Sequence, residues 1–196
     1  MPDIRRYRPG DRDRALATVV EAFAADPILR WVWPEDERYA GCAPAFFGLL
    51  LDLRLEGGEV WVADGGDAVA MWDPPGGLYG PPAEDRWAEV RQAFTPAEQE
   101  RWRLFDEALT IPDGRPRWYL GVLATAPARQ GQGLARAALA PILAAADRTG
   151  LPACLETGST ANVAYYARLG FAPVAEADLP DGGPRAWVLC REPVSP

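Results

Sequence analysis

The feature that most constrains the fold of this chain is an apolar segment, RWYLGVLATAP at 117–127, which leads through a glycine-rich turn into a helix rich in alanine and leucine. Gly131 and Gly133 stand just before the predicted start of that helix at Leu134. Glycines at this place cost conformational entropy, and a plain connection would use Ser or Asp as the helix cap. A strand, a glycine turn and a helix N-terminus together form an anion site, because free backbone N–H groups converge there. The segment therefore predicts binding of a phosphate-bearing ligand.

Two absent residue types narrow the chemistry. The chain has no histidine, and all 20 of its basic side chains are arginine. Without lysine there is no P-loop lysine and no Schiff-base chemistry, and the loop sequence GQGLAR does not fit the dinucleotide motif G-x-G-x-x-G. Without histidine, the Ser-His-Asp and Cys-His arrangements and His-based zinc sites are excluded. Catalysis would have to use Glu, Asp, Tyr, Cys, Ser, Thr or the backbone.

Length and charge bound the class of protein. The 196 residues fit a single domain, 1–196, with a helical insertion at about 79–114. The formal charge of −8 disfavours nucleic acid and anionic membranes as partners. No apolar run approaches the roughly 20 residues of a membrane span, and the stretch MPDIRRYRPGDRDRA contains no secretory signal. Three cysteines without paired spacing, Cys42, Cys154 and Cys190, predict reduced thiols and a cytoplasmic protein.

Hydrophobic periodicity predicts an α+β protein built on one mixed sheet. The predicted strands lie at 4–8, 59–64, 67–73, 117–127, 153–157, 172–177 and 186–192. Helices are predicted at about 15–23, 39–55, 134–148 and 161–169, with two more between 83 and 109 that divide at Pro96. The aromatic stretch ILRWVWPEDERY, at 28–39, is predicted to be irregular.

The loop sequence QGQGLA, at 130–135, matches the motif Q/R-x-x-G-x-G/A with which the GNAT superfamily of N-acetyltransferases binds the pyrophosphate of acetyl-CoA. WYLGVLATAPARQGQGLARAAL, CLETGSTANVAYYARLGF and PRAWVLCREP resemble, in order and spacing, its puromycin N-acetyltransferase subgroup, as do AFAADPILRWVWPE and AMWDPPG. The resemblance covers most of the chain, and 83–109 least. It implies the GNAT fold, which is α+β with a central mixed, mostly antiparallel sheet flanked by helices. It also implies acetyl-CoA as co-substrate and no metal.

The resemblance also assigns the residues that bind acetyl-CoA. Backbone groups at the end of the fourth predicted strand would pair with the pantetheine arm, at Leu123, Ala124 and Thr125. The pyrophosphate would be bound by the motif residues Gln130, Gly131, Gln132, Gly133, Leu134 and Ala135. Asn162 would lie near the cofactor. The flanking Arg129 and Arg136 would either contact phosphates or remain solvated charges.

Proton transfer has one candidate acid and two candidate bases. NVAYYARLGF resembles the superfamily helix that supplies the general acid, which assigns Tyr166 to protonate the departing thiolate, although packing in the core is the alternative. Many relatives carry a glutamate on the strand before the loop, but LGVLATAP contains no carboxylate. Glu156, on the next strand, is the first candidate base, since burial beside a cleft raises basicity; a plain hydrogen-bonding role is equally open. Asp73 is the second candidate base, and could instead attract a cationic amine or be a turn residue before Pro74.

The acceptor side is predicted from tryptophans. Trp31, Trp33 and Trp72, with Trp118, are candidates to line an acceptor pocket, because their faces attract aromatic groups and cations; the alternative is that they are core residues. Together with the resemblance, this predicts direct transfer of acetyl to the primary amine of a small molecule, without a covalent intermediate, by a monomer or homodimer. The alternatives are acetylation of a protein N-terminus or peptide, and a non-catalytic acetyl-CoA-binding sensor.

Overall fold

The structure, a computed structural model, describes residues 2–78, 81–109, 111 and 114–194 of the chain. The strands are β1 (Ile4–Arg6), β2 (Glu59–Ala63), β3 (Ala68–Asp73), β4 (Trp118–Thr125), β5 (Ala153–Thr157), β6 (Ala172–Asp178) and β7 (Arg185–Arg191). The helices are α1 (Arg12–Ala22), α2 (Pro27–Val32), α3 (Asp36–Gly57), α4 (Pro81–Arg91), α5 (Pro96–Ala108), α6 (Leu134–Thr149) and α7 (Thr160–Ala167). No helix in these described ranges is both long and apolar enough to cross a bilayer.

The strands form one seven-stranded sheet in the order β1-β2-β3-β4-β5-β7-β6. Only the β4–β5 pair is parallel, and every other neighbouring pair is antiparallel. Alternate residues of each strand point to opposite faces of the sheet. Helices cover both faces. Val69 and Met71 join the core under α1, α2 and α3, whereas Ala70 and Trp72 join the core under α6 and α7. The predicted α+β architecture with a mixed, mostly antiparallel sheet is confirmed.

The centre of the sheet opens along its parallel pair. Residues 118–120 of β4 pair with residues 153–155 of β5, and the pairing stops there although β4 runs on to Thr125. On its other side β4 carries a bulge, because Met71 pairs with Val122 and Trp72 with Leu120, which leaves Gly121 unmatched. The two strands therefore diverge, and the edge of β4 beyond Leu120 has no strand partner on the β5 side.

A buried ion pair lies behind the bulge. Arg54 Nε lies 2.7 Å from Asp73 Oδ1, and the two side chains are only 2% and 4% exposed. Arg54 Nη1 also donates a hydrogen bond of 3.2 Å to the carbonyl oxygen of Leu50. A Cβ at position 121 would lie 2.0 Å from Arg54 Nη2, so only the glycine leaves room for the guanidinium against β4. The pair ties α3 and β3 to the bulged part of β4.

One local prediction is wrong, because the stretch at 28–39 is not wholly irregular. It contains most of α2, whose start is specified by Asp26 and Pro27. Asp26 Oδ1 accepts hydrogen bonds from the backbone N–H groups of Ile28 and Leu29, at 3.0 and 3.1 Å. Proline at the first helical position supplies the right φ and loses no hydrogen bond. A short helix with two tryptophans in its sequence neighbourhood has no clear apolar stripe, which is why periodicity alone missed it.

The expectation of reduced thiols is also wrong for two of the three cysteines. Cys154 and Cys190 form a disulfide with an S–S distance of 2.04 Å, while Cys42 is free and buried. They are register partners across β5 and β7, and their separation of 36 residues carries no recognisable spacing. The pairing follows from the strand order, which a count of cysteines does not reveal.

The predicted helical insertion at about 79–114 contains α4 and α5, and five of its positions, 79, 80, 110, 112 and 113, lie outside the described residues. Thr95 caps α5, since its hydroxyl accepts from the backbone N–H of Glu98. The Glu98 carboxylate in turn accepts from the backbone N–H of Thr95 at 2.7 Å and from Arg38 of α3 at 2.6 Å. The segment is thus fixed to α3 through its cap.

Burial raises the pKa of Asp73 to about 6 although Arg54 opposes the rise, so a neutral isostere is a poor test of the pair. We expect Asp73→Ala to lower the free energy of unfolding by about 3–5 kcal/mol, because it leaves the Arg54 guanidinium buried with neither its counter-charge nor an acceptor. Urea unfolding near pH 7.5, followed by tryptophan fluorescence, measures the loss. The control is Asp52→Ala, which breaks pairs with Arg12 and Arg86 whose side chains are 42% (Arg12), 33% (Arg86) and 34% (Asp52) exposed. That change should cost less than about 1 kcal/mol, and equal costs for the two variants would contradict the role given to Asp73.

Candidate active site

A cavity of about 820 Å³ opens where β4 and β5 diverge. Its walls bring together four residues that sequence reasoning placed at the site: Leu123 from β4, Glu156 from β5, and Asn162 and Tyr166 from α7. A second cavity, of about 550 Å³, lies beside it and is lined in part by Asp73. Glu156 lines both cavities, so the two spaces adjoin at this residue.

The carboxylate of Glu156 has the environment of a base. Burial raises its pKa from 4.5 to about 7, and the negative charge of Asp106 adds to the rise. The Tyr119 hydroxyl donates a hydrogen bond of 3.1 Å to Glu156 Oε2, which acts in the opposite direction by stabilising the charged form. Tyr119 and Asp106 also line both cavities. A carboxylate with this pKa is a stronger base than an ordinary glutamate and is still partly ionised at neutral pH.

Tyr166 lies on the opposite wall, only 6% exposed. Its ring packs edge-on against Phe171, with centroids 5.5 Å apart, and against Tyr165 at 5.2 Å. Burial raises the pKa of its phenol well above the ordinary value of 10, so the hydroxyl stays protonated. Tyr166 is thus a core residue that also lines the cavity and carries a protonated hydroxyl. Its position is compatible with both alternatives that the sequence left open, packing in the core and a role as general acid.

The start of α7 is fixed by short polar contacts. Ser159 caps the helix and accepts a hydrogen bond of 3.4 Å from the backbone N–H of Asn162. The Asn162 side chain donates from Nδ2 to the Thr157 hydroxyl at 3.1 Å, which joins α7 to the end of β5. Asn162 therefore lines the cavity while holding α7 in register with the strand that carries Glu156.

The glycine-rich loop leaves a helix N-terminus without a side-chain cap. Gly131 and Gly133 have φ of 75° and 80°, a left-handed conformation that glycine adopts without a steric cost. Gly133 is the cap residue of α6 and contributes no side-chain acceptor. The N–H groups of the first turn of α6 can therefore bind an anion, helped by the helix dipole. Gln130 donates a hydrogen bond of 3.4 Å from Nε2 to the carbonyl oxygen of Thr125, which folds the loop back onto the end of β4.

The side chains of two predicted binding residues, Leu134 and Ala124, are buried. Leu134 is buried against Ala63 and Ala68, so its side chain cannot contact a ligand. Ala124 is buried in the core on the other face of the sheet and does not line the cavity. The prediction for both residues concerns their backbone, because strand edges and helix N-termini bind with N–H and C=O groups.

Arg129 anchors the loop. Its guanidinium pairs with Asp64 at 2.7 Å and with Asp67, and its Nε donates to Gln132 Oε1 at 3.0 Å. Asp67 is also paired with Arg14 at 2.6 Å. The arginine thus joins the glycine-rich loop to the turn between β2 and β3, while Arg136 is an exposed residue of α6.

The predicted acceptor tryptophans lie elsewhere. Trp33 is fully buried among Tyr39, Phe46, Phe94 and Trp102, and Trp72 is fully buried in the core under α6. Trp31 is a buried core residue, and Trp118 is a partly buried residue packed against the core. None of these four tryptophans lines either cavity. A sequence offers no signal that separates a core tryptophan from one in a binding site.

Sequence reasoning also missed residues that do line the site. The larger cavity is bordered by aromatic side chains from α3 and from the segment 81–109, and by the buried Arg54. Strand alternation in the sequence, combined with the pairing of β4 and β5, would have identified Tyr119. It pairs in register with Cys154, two residues before Glu156, so strand alternation places the tyrosine and the glutamate on one face of the sheet.

The open edge of β4 and the uncapped start of α6 suit a long ligand with an extended arm and a phosphate group. No group of three or more His, Cys, Asp or Glu side chains able to hold a metal ion occurs within the described part of the chain. The site thus consists of a backbone surface on one side and the carboxylate of Glu156 on the other.

Comparison with known proteins agrees with this geometry. The profile of the acetyltransferase (GNAT) family matches residues 3–171. An uncharacterized N-acetyltransferase of Schizosaccharomyces pombe is 24% identical over 185 residues, which cover 85% of this chain and 73% of that protein.

Two solved structures share the fold over nearly the whole chain. The "histone acetyltransferase HPA2 and related acetyltransferase" of Corynebacterium glutamicum is 27% identical, with a TM-score of 0.73 and coverage of 100% of this chain and 98% of that one. Arylalkylamine N-acetyltransferase 2 of Aedes aegypti is 14% identical, with a TM-score of 0.62 and coverage of 97% and 98%, and shows the fold alone. Since the family profile spans most of the sequence, the chain belongs to the acetyltransferase (GNAT) family, whose members use acetyl-CoA as co-substrate.

Proposed function

We propose that this acetyltransferase transfers acetyl from acetyl-CoA directly to the primary amine of a small molecule, with Glu156 as general base and Tyr166 as general acid. The observation that carries the proposal is the position of Glu156. Glu156 lines both cavities, and burial raises the pKa of its carboxylate to about 7. An amine that reaches the place where the cavities adjoin would meet a carboxylate that is more basic than an ordinary glutamate.

The donor side is built from backbone. Leu123, Ala124 and Thr125 lie on the edge of β4 that has no strand partner toward β5, and they can pair with an extended pantetheine arm. The pyrophosphate would be bound at the start of α6 by the loop residues Gln130, Gly131, Gln132, Gly133, Leu134 and Ala135. When bound there, acetyl-CoA supplies an acyl group that is activated as a thioester.

The acceptor amine must be neutral to attack, and Glu156 accepts its proton. A free alkylammonium has a pKa near 10.4. The pKa of Glu156, about 7, is closer to this value than that of an ordinary glutamate, so transfer of the proton to Glu156 is less unfavourable. The ionised carboxylate also attracts the ammonium form to the place where the cavities adjoin. Tyr119, whose hydroxyl is bonded to Glu156 Oε2, holds the carboxylate in place.

Tyr166 is the proton donor proposed for the departing sulfur. Its phenol stays protonated because burial raises its pKa above the ordinary range, so it can donate but does not compete as a base. The two proton-transfer groups therefore have separate roles set by their surroundings.

Direct transfer is supported by the state of the cysteines. Cys154, two residues from Glu156, is held in the disulfide with Cys190 and has no thiol to acylate. Cys42 is buried and lines neither cavity. The described part of the chain thus offers no cysteine as an acyl carrier at the site. Because several segments resemble the puromycin N-acetyltransferase subgroup, puromycin belongs in the first panel of acceptors.

We expect Glu156→Gln to reduce kcat about 10²- to 10⁴-fold, the usual contribution of a general base. Thiol release from acetyl-CoA with a panel of primary amines measures the rate, and calorimetry with acetyl-CoA should show unchanged binding. Glu21→Gln, on an exposed position of α1, is the control and should keep full activity. If the wild-type protein binds acetyl-CoA but no amine releases thiol, the catalytic proposal is rejected in favour of a sensor.

The pH dependence of kcat/KM should respond in opposite directions to two neighbours of Glu156. Tyr119→Phe removes the hydrogen bond that lowers the pKa of Glu156, so the acidic limb should move to higher pH. Asp106→Asn removes the negative charge that raises this pKa, so the limb should move to lower pH. The ionisation of the free amine is common to all variants and cancels from the comparison. Shifts in the same direction would show that another group controls the limb.

The stability of Glu156→Gln should also depend on pH. The pKa of Glu156 is 4.5 in the unfolded reference and about 7 after folding, so its ionisation opposes folding as the pH rises through that interval. The glutamine variant lacks this cost, and should be more stable than the wild type above about pH 7 and equally stable below about pH 4.5. Urea unfolding of both proteins across this range measures the difference. A difference that stays constant with pH would contradict the raised pKa.

A further inference from the structure

The larger cavity continues from Glu156 into a space bounded by aromatic rings, and this wall has no part in the proposed proton transfers. Three rings come from the end of α1 and from α3: Phe23, which directly follows α1, and Phe46 and Phe47 of α3. Four come from the segment 81–109: Trp87, Phe94, Trp102 and Phe105. We call these seven side chains the aromatic wall.

The rings of the aromatic wall are arranged around Phe46. Its ring stacks on Trp102, with centroids 4.9 Å apart and planes at 23°. Phe47 and Trp87 meet Phe46 at 5.2 and 5.5 Å with planes at 75° and 55°. Trp102 in turn meets Phe105 edge-on at 5.9 Å. These contacts hold the rings together in stacked and edge-on arrangements, the two arrangements in which a further aromatic ring also packs favourably.

Most charged groups around this space have a partner. Asp106, which lines both cavities beside Glu156, is influenced by the positive charge of Arg91, which lines the larger one. Arg54 is paired with Asp73, and Arg103 is paired with Glu100 and Glu107 at 2.5 Å each. Asp26 accepts two backbone hydrogen bonds at the start of α2. Glu156, by contrast, makes no ion pair with any described residue, and its polar contact is the Tyr119 hydroxyl. A cation is therefore drawn to the Glu156 end of the cavity, and apolar groups to the other end.

This distribution discriminates among classes of amine. A polyamine, an aminoglycoside or a peptide would bring several polar groups against the rings, where each unpaired group costs roughly tenfold or more in affinity. An aliphatic chain would be accepted, but it gains only from burial. An aromatic ring gains in addition from ring–ring contacts, about 2- to 10-fold per well-placed pair.

We infer that the acceptor is an arylalkyl primary amine, whose amino group reaches Glu156 while its ring packs on the aromatic wall, and that Trp102 determines this specificity. The inference rests on the proposed function and names the substrate class for the same site. Trp102 is the residue of choice because it lies between Phe46 and Phe105 and belongs to α5, outside the sheet that carries the proton-transfer groups.

The test compares 2-phenylethylamine with 2-cyclohexylethylamine, which has the same length and carbon count but no aromatic ring. Thiol release from acetyl-CoA gives kcat/KM for each amine, with spermidine and a short peptide as polar comparisons. We expect the aromatic amine to exceed the cyclohexyl amine about 2- to 10-fold and spermidine by about 100-fold or more, from several unpaired groups. The ratio of two substrates on one preparation does not depend on the fraction of protein that is folded.

Variants then test whether Trp102 causes the preference for the aromatic amine. Trp102→Leu should bring the ratio of aromatic to cyclohexyl amine close to one, whereas Trp102→Phe should retain a preference above one. The matched control is Trp61→Leu, on β2, which lines neither cavity and should leave the ratio unchanged. Quenching of tryptophan fluorescence by the two amines gives their binding without any turnover.

Each outcome separates the inference from the function on which it rests. Turnover of amines without an aromatic preference, or a preference that survives in Trp102→Leu, overturns the inference and leaves the acetyltransferase proposal standing. Binding of acetyl-CoA without turnover of any amine rejects the proposed function. In that case, equal binding of the two amines would reject the aromatic site as well, and selective binding of the aromatic amine would retain it.

Discussion

The parallel pairing of β4 with β5 ends after residues 118–120 and 153–155, and the site depends on this early end. If the pairing continued, no gap would open between β4 and β5 beside Glu156, and the backbone edge beyond Leu120 would be used within the sheet. The bulge at Gly121 re-aims β4 at the point where the strands part, and the guanidinium of Arg54 fills the space of the missing side chain. One local departure from regular pairing thus creates both the surface proposed for the donor and access to the proposed base, Glu156.

The two sides of the site are specified in different ways, which explains what the sequence could predict. The donor side uses backbone groups and special φ values, and Gly131 and Gly133 leave a readable pattern for such needs. The sheet was predictable for a similar reason, because β-strands alternate visibly. The acceptor side consists of side chains from distant helices. Trp102 and Phe46 are 56 positions apart in the sequence and meet only through packing, so no local pattern announces them.

The same limit applies to the residues that were placed in the wrong surroundings. The sequence contains eight tryptophans, and those in an aromatic-rich stretch were as plausible in a pocket as in the core. Trp33 contacts Phe46 and Trp102 from behind, so it supports the aromatic wall without lining the cavity. The cysteine pair was missed because Cys154 and Cys190 become neighbours only through the order of β5 and β7. In each case the deciding information is long-range.

Glu156 shows how stability and chemistry oppose each other at this site. Without an ion-pair partner among the described residues, its ionised form is held by the Tyr119 hydroxyl alone, and burial raises its pKa to about 7. An arginine at Glu156 would lower that pKa and stabilise the fold, but it would also remove the basicity on which proton transfer depends. Arg54 is buried close to the same cavity and is neutralised by Asp73 instead. The ion pair therefore does more than fix the bulge, because it neutralises a buried cation on the wall of the cavity that Glu156 also lines.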